Sequence, residues 1–77
     1  MEIIAIVIQT VAQLHEFVNE CAGIGAEMEL CSEGHRANAK SVLEICTLNL
    51  SHPLELRISG EEDEVRLALQ KLHKYVI

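Results

Sequence analysis

Side chains able to act as nucleophile, base or metal ligand are few in this chain and scattered along it. His15, His35, His52 and His73 fall in a helical stretch, a hairpin, a loop and a helix end respectively. Cys31-x3-His35 would set one thiol facing one imidazole across a hairpin, but zinc needs three or four ligands in a closed arrangement. No metal site and no cofactor are therefore expected. Cys21, Cys31 and Cys46 form an odd set without C-x-x-C spacing. They read as small apolar core residues in a reducing cytoplasm rather than as a disulfide framework. The run Glu61-Glu62-Asp63-Glu64 lacks a calcium-loop pattern and reads as the solvated start of a helix. Ser41, three residues before Glu44, reads as an N-cap in a capping box, a contribution of about 1 kcal/mol.

The elements that must position these residues follow from hydrophobic period and punctuation. Ile3-Ile4-Ala5-Ile6-Val7-Ile8 is short and rich in β-branched residues, which predicts a strand with apolar residues on both faces. Thr10 then reads as an N-cap with Gln13 completing a capping box. Val11, Leu14, Val18 and Cys21 form a helical stripe flanked by Phe17, and Gly23 and Gly25 end it, so a helix is expected over residues 11–22. Residues 26–32 alternate, with Met28 and Leu30 on one face and Glu27, Glu29 and Cys31 on the other. Glu33-Gly34 is a two-residue hairpin turn leading into a brief return strand, His35 to Ala37. A second helix opens at Ser41 and cannot pass Leu50, because Pro53 biases His52 away from helix. Leu54, Leu56 and Ile58 alternate with Glu55, Arg57 and Ser59 as a third amphipathic strand. The last helix runs from the acidic residues to Lys71, His73 and Lys74, with Val65, Ala68, Leu69, Leu72 and Val76 as its core stripe.

Composition narrows the function classes. Seventy-seven residues make one domain, here residues 1–77, and with one Phe, one Tyr and no Trp the core must be aliphatic. Net charge is −6, and the six basic residues form no stripe, which argues against nucleic acid. The longest apolar run, Ile3 to Ile8, is far short of the ~20 residues of a membrane helix. It also lacks the flanks of a signal peptide.

The order βαββαβα, at this length, resembles the HPr family, the small phosphocarrier of the bacterial sugar phosphotransferase system. The likeness is strongest over Asn38-Ala39-Lys40-Ser41-Val42-Leu43-Glu44-Ile45-Cys46-Thr47-Leu48, which looks like the family's segment around its regulatory serine. It continues through Glu55-Leu56-Arg57-Ile58-Ser59 to Ala68-Leu69. The implied fold is an α+β open-faced sandwich, a four-stranded antiparallel sheet with three helices on one face. The resemblance also implies that the serine matched by Ser41 is a kinase target. The patch matched by Val42, Leu43 and Cys46 would dock protein partners: phosphotransferase-system components or a transcriptional regulator. Six apolar residues crowd this helix, which implies either an exposed patch of these three, with Ile45 and Leu48 facing the sheet, or a short helix buried on two sides.

The family's catalytic signature, G-(I/L)-H-A-R-P-A, is absent. Aligned back from the serine block, its His falls on Thr10, its Arg on Ala12 and its Pro on Gln13. An imidazole nitrogen can take a phosphoryl group as a labile phosphoramidate; a threonine hydroxyl cannot do so at neutral pH. Losing the Arg removes the charge that would hold phosphoryl oxygens. The expected protein is thus a cytoplasmic, HPr-like interaction module rather than an enzyme. An alternative register slides His15 onto the active histidine, making a working phosphocarrier. It requires a deletion of about five residues and a first helix of barely two turns. A third possibility is a structural module that forms a homodimer through its apolar first strand.

Overall fold

The computed structural model describes all residues, 1–77. Its elements are β1 (Glu2–Ile6), α1 (Val11–Ala22), β2 (Glu27–Ser32), β3 (His35–Asn38), α2 (Val42–Ile45), β4 (Leu54–Ser59) and α3 (Glu62–Lys71), followed by a 3-10 turn, His73–Tyr75. The strands form one antiparallel sheet in the order β1-β4-β2-β3. This is the expected α+β sandwich, with three helices against one sheet face.

Alternation decides which face is covered. Leu54, Leu56 and Ile58 of β4 pair across the sheet with Ile6, Ile4 and Glu2 of β1, and Leu30 and Met28 of β2 pair with Leu56 and Ile58. These side chains, apart from Glu2 and the half-buried Ile4, are buried under the helices together with Phe17, Cys21, Ile24, Ile45, Ala68 and Leu72. The opposite face carries Glu27, Glu29, Cys31, Glu55 and Arg57 and is uncovered. Arg57 Nε donates to Glu55 Oε2 at 2.6 Å. The β2–β3 turn is as the sequence predicts: Glu33 and Gly34 both have positive φ, 50° and 82°. Two consecutive left-handed residues match the right-handed twist of the strands they join.

Several boundaries differ from expectation. β1 ends at Ile6, two residues early, because β4 begins at Leu54 opposite it and the preceding Pro53 has no N–H to extend the ladder. Ile8 is buried all the same. The outer edge of β1 is occupied by the end of the chain: Val7 N donates to Tyr75 O at 2.9 Å and Ile77 N to Ala5 O at 3.2 Å. In α1 the stripe is Leu14, Phe17 and Cys21, with Phe17 at its centre, whereas Val11 is 70% exposed because the first turn overhangs the core. In the last helix the regular period stops at Lys71. The tighter turn that follows swings Tyr75 inward and leaves Val76 37% exposed. Tyr75 meets Phe17 edge-to-face, ring centroids 5.2 Å apart. Of the three cysteines only Cys21 is buried; Cys31 is half-buried on the open sheet face and Cys46 is exposed. No helix is long and apolar enough to cross a membrane.

Candidate functional site

Two helix starts carry the residues singled out by sequence. At the first, Thr10 has extended dihedrals (φ −136°, ψ 161°) and caps α1, its Oγ1 accepting from Gln13 N at 3.0 Å. The reciprocal bond reaches one residue further upstream than a capping box requires: Gln9 N donates to Gln13 Oε1 at 2.7 Å. The hydroxyl oxygen is thus held by a backbone amide, with no base positioned to take its proton. Val11 and Ala12 are exposed beside it, and neither carries charge. The adjoining shallow hollow is lined by Gln9, Gln13, Glu16 and Lys74. Lys74, its one cation, is drawn onto Glu16 Oε1 at 3.2 Å and Glu20 Oε1 at 3.4 Å. The hydrogen bond to Glu16 holds the Lys74 ammonium above its ordinary pKa. His15 is the fifth residue of the twelve-residue α1 and is exposed, a full turn beyond the cap.

The second start is Ser41, also extended (φ −123°, ψ 112°), with Oγ accepting from Glu44 N at 3.3 Å. Glu44 Oε1 in turn accepts from Asn38 N at 3.0 Å, again upstream of the cap. Neighbouring Lys40 donates to Ile24 O at 2.7 Å, tying this start to the C-terminal end of α1. That bond ties down the carbonyl two residues past the last helical residue of α1. Nothing in the spacing of Lys40 from Ile24 announces it.

The second helix is a single turn rather than the longer one expected. Thr47 Oγ1 donates to Glu44 O at 2.7 Å and Leu48 N to Ile45 O at 3.0 Å, closing the turn with short-range bonds. Asn49 Oδ1 then accepts from Ser51 N at 3.1 Å and turns the chain toward β4. Ile45 and Leu48 face the sheet. Of the three expected patch residues, Leu43 is 83% exposed and Cys46 is exposed, but Val42 is half-buried against the core. The patch is therefore smaller than the sequence suggests, since one turn cannot present three residues to one side while burying a fourth.

Cys31 and His35 do not face one another. Register places Cys31 opposite Arg36 and His35 opposite Ser32, so the thiol and the imidazole belong to opposite sheet faces. Burial holds the Cys31 thiol above its usual pKa.

The family model PTS-HPr, described as "PTS HPr component phosphorylation site", matches residues 9–77. The chain belongs to the PTS-HPr family. Among solved structures it is similar to the crystal structure of HPr-C-His from Thermoanaerobacter tengcongensis, with TM-score 0.79 and 23% identity over 96% of this chain and 92% of that one. That likeness establishes the HPr fold. The PTS-HPr family is one of phosphocarriers acting with other phosphotransferase-system proteins, not of classical enzymes.

Proposed function

We propose that this HPr-family protein is a cytoplasmic interaction module related to the phosphotransferase system that carries no phosphoryl group on histidine. The observation that supports this most directly is Thr10. It caps α1 where the family resemblance puts the nucleophilic histidine, and its oxygen is engaged by Gln13 N. A phosphocarrier needs a neutral ring nitrogen to attack and a cation to hold the transferred oxygens. Thr10 and Ala12 supply neither, and Lys74 is committed to two carboxylates. Docking would run through the exposed part of α2, Leu43 and Cys46, with Val42 behind them, and through the start of α1. Ser41 is best read as a cap. A phosphate there would lie beside Glu44, whose carboxylate already accepts from the amide just upstream, and the two anions would repel.

Incubation with phosphoenolpyruvate and the first enzyme of the system, followed by phosphorus NMR, tests this. The expected result is no phosphohistidine signal. A signal abolished by His15→Ala would replace the proposal with a phosphocarrier working from the fifth residue of α1.

A further inference from the structure

On the sheet face away from the helices, strand register sets the side chains in rows. Ile3, Arg57, Glu29 and Asn38 lie side by side in one row. Ala5, Glu55, Cys31 and Arg36 form the next. The β1 margin of this face is apolar. Ile3 is 53% exposed, Ala5 is exposed, and Ile77, whose amide donates to Ala5 O, is 69% exposed. The rest is charged but almost balanced, with Glu27, Glu29 and Glu55 set against Arg36 and Arg57 in a chain of net −6. Opposite charges stand in neighbouring rows: Arg57 bonds Glu55 at 2.6 Å, and Arg36 comes within 4.0 Å of Glu29.

This pattern is its own complement. A two-fold axis that crosses the strands midway between the two rows exchanges one row for the other. A second copy turned over by that axis sets its Glu55 above Arg57 and its Arg57 above Glu55. Ile3 of each copy then meets Ala5 of the other, and Arg36 comes down over Asn38, next to Glu29. Sheets stacked face to face lie about 10 Å apart, a gap that an arginine and a glutamate bridge from opposite sides. A uniformly acidic or basic partner would meet both signs and be favoured by neither. The sheet edges are less open to a second copy. On β3, Asn38 N donates to Glu44 and Asn38 O accepts from Ser41 N, while Val7 N and Ala5 O of β1 are taken by the chain's end.

We propose that the open sheet face is a self-association surface, on which a second copy of this chain stacks about that axis as an isologous dimer. Its charged composition and small extent make the dimer a weak one, with a Kd on the order of 0.1–1 mM.

Sedimentation equilibrium on the full chain between about 0.02 and 2 mM tests this. The average mass of the wild type should climb toward twice that of the chain. Arg57→Glu and Glu55→Arg should each weaken self-association at least tenfold, because each brings like charges together across the axis. An equimolar mixture of these two variants should regain the dimer, one face then being acidic at both positions and the other basic. The double variant carrying both changes should regain it as well, and it keeps the ion pair within the strand, so it guards against a single variant that fails to fold. A wild type that stays monomeric throughout would overturn the proposal. So would single variants that associate like the wild type, or a mixture and a double variant that both remain monomeric while the wild type dimerises.

Discussion

Thr10 does two things that the chemistry of a hydroxyl allows and one that it forbids. It satisfies an orphan amide of α1 and fixes the angle at which the chain enters the helix, but it offers no lone pair basic enough to hold a phosphoryl group at neutral pH. Thr10→Ala should therefore lower unfolding free energy by about 1 kcal/mol in denaturant titration, the ordinary loss for a threonine cap. A loss near zero would mean that the Gln13 to Gln9 bond alone organises the turn. The capping role was legible because Thr10 and Gln13 sit three apart ahead of a helical stripe. What could not be read was where the second bond of each capping pair goes. Gln13 and Glu44 both reach upstream, to Gln9 and Asn38, because the chain folds back just before each helix. Local spacing holds no information about that fold-back, nor about Lys40 meeting a carbonyl sixteen residues away.

At the scale of elements, period and punctuation located every strand and helix within a few residues, and the errors share a cause. β1 stops early for want of a partner beyond Leu54, α2 is one turn long, and the last helix tightens before its stripe is complete. In each case a neighbour, or the lack of one, overrides an apolar pattern that would otherwise have continued. The β2–β3 hairpin is the opposite case, a purely local decision. Both turn residues must adopt positive φ, and Gly34 does so without steric cost. Gly34→Val should cost about 1–2 kcal/mol, measured by thermal unfolding, because a β-branched residue is forced into the left-handed region. An unchanged midpoint would show that the turn can rearrange at no expense.

For the molecule as a whole, one aromatic pair anchors an aliphatic core. Phe17 and Tyr75 bring α1 and the chain's end together, and Lys74 reinforces the seam from outside. Phe17→Ala should remove about 3–5 kcal/mol, a large share of what so small a domain possesses, and should show as a loss of cooperative unfolding near room temperature. The pH dependence has a definite sign. Burial pushes the Cys21 thiol from 9.0 up to about 12 and raises the Tyr75 phenol above 10.0. The unfolded chain gives up these protons first, so stability falls as pH rises above about 9, by at most ~1.4 kcal/mol per pH unit for each buried group. The Lys74 contribution is present below 10.5 and fades as pH climbs through its raised value. Denaturant titrations between neutrality and high pH should therefore show a steady alkaline loss, shallower in Cys21→Ala; a flat profile would contradict the burial of both groups. The seam also bears on synthesis by the ribosome. β1 is translated well before Tyr75 and Ile77, which shield its outer edge. Until that segment clears the exit tunnel, the nascent chain displays a bare apolar ribbon and an unmatched phenylalanine, and that interval is when a chaperone would matter most.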